Sequence, residues 1–416
     1  MGVVAPNGVG LTKFEQSLKT GKSGISFLPE LKSKNFGCCV AGVPQVPESL
    51  INDTFSPLQL RNFSSSGILY GCIAGRSAWH DAGLKINDEN PDYDSGCIFG
   101  AGASGTEKMA EVADKVASGN IKRLSSNTVA QTMTSGISAY LSGMIGLGNQ
   151  VTTNSSACAT GTESILMAFE RIQSGKATRM IAGSCSDHGP HLWGPFDALR
   201  VLTRKHADEP ERASRPMSDS ASGFVPGSGA GALALESLGS ARSRGARIYC
   251  EILGGHVNCG SQRNGGSMTA PNSIAVQRCI TEALNDAQIS AASIDVIHGH
   301  LTATKMDADE IENWVTALNY SHKNIPFIQA PKSIFGHCIG AAGTIESVAA
   351  VLGLTNDYVF PNLNCEDLHP KIEQLVPSNR IPTKLIEKAG LNIAVKASFG
   401  FGDVNCCIVF KKYEDG

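Results

Sequence analysis

The sequence predicts an α/β fold. Short apolar runs punctuated by glycine alternate with longer stretches of helical period, which is how strands and helices succeed one another in that class. Glycine supplies 45 of 416 residues, which anticipates many tight turns and close backbone contacts. The elements follow in order. Residues 11–22 and 105–118 read as helices, with the strand Cys97-Ile-Phe-Gly-Ala-Gly102 between them. Residues 158–174 form a helix, because Ile165, Leu166, Ala168, Phe169 and Ile172 recur at helical spacing. The next strands are Met180-Ile-Ala-Gly183, Gly231-Ala-Leu-Ala-Leu-Glu236 and Ile248-Tyr-Cys-Glu-Ile-Leu253. Helix 273–287 leads to strand Ile294-Asp-Val-Ile-His298, and helices 307–319 and 340–354 to strands Asn392-Ile-Ala-Val-Lys396 and Cys406-Cys-Ile-Val-Phe410.

No Pro/Ser-rich linker or low-complexity tract divides the chain. Its two halves resemble each other weakly. Ser155-Ser-Ala-Cys-Ala-Thr-Gly-Thr-Glu163 and Gly336-His-Cys-Ile-Gly-Ala-Ala-Gly-Thr-Ile-Glu346 each set a reactive residue ahead of a Gly-rich helix start. A duplicated, fused unit follows, with halves at 1–245 and 246–416.

Composition excludes several functions. Hydrophobic residues at 42% and charged residues at 18% belong to a soluble globular protein with a large core. A net charge of -3 gives no attraction for nucleic acid or an anionic membrane. No stretch reaches the length of a membrane span. Thirteen cysteines lack zinc-site spacing and point to reduced thiols. The N-terminus resembles neither a signal nor a transit peptide, so the cytoplasm is the expected compartment. No cofactor or metal motif is present.

Three blocks carry chemistry. Cys158 lies in Thr153-Asn-Ser-Ser-Ala-Cys-Ala-Thr-Gly-Thr-Glu163, where a helix begins. Unpaired N–H groups and the helix dipole there favour thiolate, lowering the pKa from roughly 8.5 into about 3.5–7.5. The same N–H groups can hold an oxyanion. The second block, Ile297-His-Gly-His-Leu-Thr-Ala-Thr304, sets His300 at the C-terminal edge of a strand, where open α/β sheets bind ligands. Thr302 and Thr304 can hydrogen-bond a phosphate-bearing arm or a thioester, while strand alternation assigns His298 to the opposite face. The third, Pro331 to Glu346, carries Lys332, His337 and Glu346 across a strand-to-helix turn. Two neutral imidazoles can donate hydrogen bonds to a carbonyl oxygen on which enolate charge develops. Near the C-terminus, Ala397-Ser-Phe-Gly-Phe-Gly-Asp-Val-Asn405 is a glycine loop in which Phe399 or Phe401 can gate an apolar channel. His188, His191, His206, His256 and His369 are read as structural or surface residues.

In this order the blocks resemble the elongating β-ketoacyl-acyl-carrier-protein synthases of fatty-acid and polyketide synthesis. Val3-Val-Ala-Pro-Asn-Gly-Val-Gly10, Gly21-Lys-Ser-Gly-Ile25, Glu211-Arg-Ala-Ser-Arg-Pro-Met217 and Gly223-Phe-Val-Pro-Gly-Ser-Gly-Ala-Gly231 agree, and the likeness runs to about residue 411. The resemblance implies a thiolase-like fold: two similar halves, each with a mixed five-stranded sheet, layered α-β-α-β-α, usually in a homodimer. It implies a decarboxylative Claisen condensation of an acyl group on Cys158 with a malonyl thioester, assisted by His300 and His337. Lys332 and Glu346 match the family's supporting ion pair. The backbone N–H groups of Cys158 and Phe401 match its oxyanion hole, and Phe401 its gate beside Phe399 and Gly400. Substrates would arrive as phosphopantetheine thioesters on acyl carrier protein, for which Arg61, Arg204 and Lys205 are candidate docking charges. No further cofactor is implied. Two histidines after the cysteine separate the chain from initiating synthases and chalcone synthases, which are similar to Cys-His-Asn, and from thiolases, which add a second cysteine.

Departures from the pattern are specific. The family's His-Gly-Thr-Gly-Thr is His300-Leu-Thr-Ala-Thr304, and the acidic pair Asp307 and Glu310 sits one residue early. Ser222 and Ser228 replace the usual Asp and Glu, Gly-Phe-Gly-Gly has become Gly400-Phe-Gly-Asp403, and Met180-Ile-Ala-Gly-Ser-Cys-Ser-Asp187 departs from Gly-Gly-Ala-Glu. The chain begins inside the family's first strand. Together these point to a specialised synthase, of a polyene, pigment or polyketide pathway or using coenzyme A thioesters. The alternative is an inactive chain-length-factor-like subunit of a heterodimer. Ala103, in Gly100-Ala-Gly-Ala-Ser-Gly105, falls where the family places a pocket-floor residue that is often larger. A deeper or wider acyl pocket would follow.

Overall fold

The computed structural model describes residues 1–86, 88–320 and 325–414. Two mixed sheets form its frame. The first is built from β1 (Gly2–Ala5), β2 (Gly8–Val9), β3 (Ser95–Ala101), β4 (Val151–Thr152), β5 (Arg179–Ser186) and β6 (Gly229–Glu236), in the order β2-β1-β6-β5-β3-β4. The second is built from β7 (Cys250–Cys259), β8 (Val296–His298), β9 (Phe327–Gln329), β10 (Ile393–Gly400) and β11 (Val404–Lys412), in the order β9-β8-β10-β11-β7. The first sheet thus has six strands rather than the expected five. The Pro6-Asn7 turn folds β2 back onto β1, pairing Val4 with Val9.

The helices α1 (Leu11–Thr20), α2 (Ser66–Asp81), α3 (Thr106–Ala117), α4 (Thr160–Gln173), α5 (Ser273–Asp286), α6 (Asp307–Ala317) and α7 (Ala342–Thr355) complete the layers. Helix α2 covers the outer face of the first sheet, and α5, backed by α6, covers the outer face of the second. Between the sheets lie α4 and α7, each touching both. Every residue of α7 from Ala342 to Leu354 is buried. A helix apolar on all sides suits only such a central layer. The expected five-layer arrangement is present. Among the described residues, no helix is long and apolar enough to cross a membrane.

The two central helices start alike. A 3₁₀ turn, Ala157–Ala159, precedes α4, and another, Ile339–Ala341, precedes α7. Ala157 and Ile339 open these turns with the same left-handed φ of 50°. The match equates Cys158 with Gly340, not with His337, which lies two residues ahead of its turn. Gly161 and Gly343 then occupy equivalent places and pack on each other. A Cβ on Gly343 would lie 2.4 Å from the backbone N of Thr162, and one on Gly161 2.6 Å from that of Thr344. Only glycine allows that approach.

Sequence periodicity missed helix α2 and the helices Gly136–Ile145 and Pro190–Ala198. Gly67, Gly71 and Gly75 on α2 abut other buried groups, and these glycines hide the apolar stripe. Strand β10 runs on through Gly400 and β11 starts at Val404, so that of the expected glycine loop only residues 401–403 lie outside strand.

Candidate active site

The three blocks converge on one buried point. Cys158 Sγ lies 3.2 Å from His337 Nε2, and a ring nitrogen of His300 joins them, all three atoms within 4.8 Å of one another. The two imidazoles stand edge to face at 5.3 Å, and Phe224 meets His337 at 5.1 Å. A thiol and two imidazoles from distant segments thus meet at one buried point. No residue spacing announces it, because the fold assembles it from both halves.

Each histidine is fixed in one tautomer. The Ile339 N–H donates to His337 Nδ1 at 3.2 Å, so the neutral ring carries its proton on Nε2, facing the sulfur. Lys332 Nζ lies 3.4 Å from His300 Nδ1 and donates to the His300 carbonyl at 2.5 Å, which leaves Nε2–H of His300 free for a ligand. Burial, then the Lys332 ammonium, holds both imidazoles well below the ordinary histidine range. Both are neutral hydrogen-bond donors at physiological pH.

Cys158 departs from its expected thiolate character. Burial pushes its thiol up to about 11, against the Lys332 charge and the backbone N–H groups of Phe401 and Cys158, which favour thiolate. The helix proper begins only at Thr160. The thiol therefore sits one 3₁₀ turn ahead of it, in a pocket with 7% exposure, where desolvation outweighs the dipole. The Phe401 and Cys158 N–H groups both bear on the sulfur. Gly400 makes this possible, because a Cβ there would lie 3.1 Å from the Cys158 backbone N.

The loop after β8 explains two departures. Leu301 and Ala303, which stand where the family has glycine, adopt φ of 22° and 63°. That conformation is strained for a side-chain-bearing residue. Two carboxylates at the start of α6 hold it. Glu310 accepts from the N–H groups of His300 and Leu301 at 2.6 and 2.7 Å, and Asp307 from those of Thr302 and Ala303 at 2.8 and 3.0 Å. Burial raises Asp307 to about 6 and Glu310 to about 7. The sequence showed this acidic pair only as a displaced motif. Its spacing four to ten residues after strained backbone N–H groups was the available signal.

A cavity of about 200 Å³ opens on this centre, lined among others by Thr302, Thr304, Phe399, Phe401 and Phe224. Thr302 and Thr304, both on its wall, hydrogen-bond each other at 3.0 Å. Phe399 packs 6.3 Å from His300, and Phe401 leans on Phe196 at 6.2 Å. Ala103 is exposed and not among the residues lining this cavity. It belongs to the segment just past the end of β3, where Gly102 abuts Gly340. His298 also stays out of the site, but not through alternation. Residues two apart on a strand share a face. The chain leaves the strand after His298, which remains buried against Phe360 with its pKa lowered to about 3. Arg61, Arg204 and Lys205 are exposed.

Beneath the histidines lies an ion network with no exposure to solvent. Lys332 Nζ pairs with Glu346 Oε1 at 2.6 Å, as expected. Lys396 Nζ pairs with the other oxygen, Oε2, at 2.9 Å. Sequence reading passed over Lys396, although a lysine ending the buried run Asn392 to Lys396 was a visible anomaly.

Comparison with known proteins decides the family. Residues 1–241 match the family model for the β-ketoacyl synthase N-terminal domain, and residues 249–366 that for the C-terminal domain. The chain belongs to the β-ketoacyl synthase family. This synthase is 32% identical over 413 residues to 3-oxoacyl-[acyl-carrier-protein] synthase 1 of Haemophilus influenzae, covering 99% of this chain and 97% of the relative. It is 30% identical over 416 residues to the enzyme of that name from Escherichia coli K12, covering 100% and 98%. Among solved structures it superposes on a β-ketoacyl synthase from Burkholderia phymatum with TM-score 0.89 at 25% identity, covering 99% and 98%. A ketosynthase described as bound to its type II polyketide acyl carrier protein superposes with TM-score 0.86 at 26% identity, again covering 99% and 98%. The ishigamide ketosynthase/chain length factor does so with TM-score 0.87 at 25% identity and the same coverage. It is a condensing enzyme of the acyltransferase type.

Proposed function

We propose that this synthase makes 3-oxoacyl-acyl-carrier-protein by decarboxylative condensation. The observation that carries the reading is the buried meeting of Cys158 with two neutral histidines, each presenting Nε2–H. In the first half-reaction, Cys158 sulfur attacks the thioester carbonyl of the donor. The oxyanion is held by the Cys158 and Phe401 N–H groups, and the released carrier thiol takes the proton the cysteine gives up. In the second, malonyl thioester enters along Thr302 and Thr304 and loses carbon dioxide. Its enolate oxygen accepts hydrogen bonds from His300 and His337. The enolate carbon attacks the acyl carbon, and Cys158 leaves as thiolate. Neutral imidazoles suit this step, because a neutral N–H stabilises an enolate without protonating it.

Acyl carrier protein is the proposed partner, docking at Arg204 and Lys205, which follow the cavity residue Val201 within a few positions, and at Arg61. The reaction as written draws on no metal or redox cofactor. A homodimer is the proposed assembly, and a heterodimer with a related subunit the other arrangement its neighbours offer. Thirteen free cysteines favour a reducing compartment such as the cytoplasm.

Intact-mass measurement tests the reading. The protein is incubated with acyl carrier protein bearing a series of acyl chains, and malonyl-carrier protein is then added. The expected result is an acyl adduct lost in Cys158→Ala and a 3-oxo product two carbons longer. An adduct without product would point to a missing partner subunit. No adduct at any chain length would overturn the reading in favour of an inactive subunit.

A further inference from the structure

The Glu346 carboxylate is shared between two ammonium groups that are both shut off from water. Exposure is 1% at Lys332, 0% at Lys396 and 0% at Glu346. One lysine would neutralise the carboxylate. A second buried lysine adds a desolvation cost that its own pairing only partly offsets. It leaves one positive charge in excess directly beneath the histidines. Lys396 also reaches further than its ion pair. Its Nζ donates to Ser398 Oγ at 3.1 Å and to the carbonyl of Ala397, and Ser398 Oγ lies 2.9 Å from Thr162 Oγ1 on α4. An unbroken chain of polar contacts thus runs from the helix behind Cys158 through Ser398, Lys396, Glu346 and Lys332 to His300. Strand β10 carries Lys396 four residues before Gly400, so the same lysine anchors the strand that delivers the oxyanion loop.

We propose that Lys396 is a positioning residue of the condensation site, a second ammonium on Glu346 whose excess charge reinforces burial and Lys332 in keeping His300 and His337 in the neutral form that condensation requires. The role rests on the condensing reading above. The charged groups around the two imidazoles are Lys332, Lys396, Glu346, Glu310 and Asp307, with the Cys158 thiol in front. Around Lys396 itself stand His298 across β8, Cys406 and Cys407 on β11, Glu346 on α7, and Lys332 and Glu310. Lys396 and Lys332 are the cations of this set. Removing either leaves Glu346 balanced by the other, with no positive charge in excess, and a neighbouring imidazole is then easier to protonate. An imidazolium would protonate the enolate, converting malonyl thioester and a proton into acetyl thioester and carbon dioxide with no carbon–carbon bond formed.

The test uses the whole protein with Lys396→Met and, as a variant that retains polar contacts to Ser398 and Glu346, Lys396→Gln. Two quantities are read. Isotope-edited NMR follows the titration of His300 and His337, which needs no substrate. Product analysis gives the ratio of acetyl thioester to 3-oxo product from malonyl-carrier protein across pH. The expected result is a histidine titration moved upward by about one unit, and so an acetyl fraction near pH 6 raised about tenfold over the unaltered protein. Unchanged titration and unchanged partition in a folded variant overturn the role. Should neither variant fold, Lys396 of the unaltered protein is titrated directly, and an uncharged Lys396 between pH 6 and 8 overturns it equally. Should the unaltered protein form neither acyl adduct nor 3-oxo product, the condensing reading fails, and the histidine titration still judges the electrostatic role.

Discussion

Glu346 is the residue on which the interior of this site depends, because each of its oxygens pairs with a different buried lysine and its one negative charge is the counter-charge both share. Glu346→Gln would leave Lys332 and Lys396 facing each other with no counter-charge. Breaking a buried pair in this way costs about 3–5 kcal/mol, and chemical denaturation should show a loss of that size. The double variant Glu346→Gln/Lys396→Met should recover part of it, since one uncompensated charge is gone. A loss below about 1 kcal/mol in the single variant would mean that the network is hydrated and its charges screened. Cys158 teaches a second lesson at this scale. A helix start predicts thiolate, but burial raises the thiol to about 11. The rate of alkylation by iodoacetamide should therefore keep rising as pH increases beyond 9, where a thiolate of low pKa would already have reached its plateau.

At the scale of elements, the contact of α4 with α7 sets how the two halves meet. It is made glycine to glycine, with no room for a methyl group. Gly343→Ala would place a Cβ 2.4 Å from the Thr162 backbone, and neither helix can give way without moving a turn that carries chemistry. Overpacking of this kind costs about 1–3 kcal/mol, and denaturation should show it. Gly239→Ala, where a Cβ meets nothing within 4 Å, is the control and should leave stability within about 0.5 kcal/mol. The alanine at 343 should also slow acylation of Cys158, because the displaced turn begins at Ala157. Unaltered stability and acylation would contradict the tight contact. The loop from His300 to Thr304 shows the opposite strategy. Side chains at left-handed positions are tolerated there because Asp307 and Glu310 bind the backbone on the other side.

For the whole molecule, buried titratable groups set the response to acid. His298, His300 and His337 have folded pKa values depressed below the ordinary 6.5. The stability they allow is present above that value and is lost as pH falls below it, because only the unfolded chain takes up the protons. Asp307 and Glu310 act the other way. Their folded values, about 6 and about 7, exceed those of the unfolded chain, so their contribution is full below about 4 and is lost as pH rises through 7. Three histidines against two carboxylates leave a net loss on the order of 1 kcal/mol per pH unit between pH 6 and 5. Denaturation midpoints measured across that interval check it, and a midpoint that rises toward pH 5 would contradict it.

The sequence by itself determined the α/β class, the duplicated plan and the residues of the centre. Cys158, His300, Lys332 and His337 lie where short apolar strands end or Gly-rich helices start, and Glu346 follows one turn into such a helix, and those punctuation marks are local. Helix α2 escaped because its glycines erase the periodicity by which a helix is read. Tertiary structure alone decided what depends on burial and on contacts between the halves: the protonated Cys158, the exposed Ala103, the Gly161–Gly343 contact and the second lysine on Glu346. The physical reason is that a side chain's type is written in the chain, whereas its charge state and neighbours follow from how much water the fold removes and which distant segments it brings within a few ångströms.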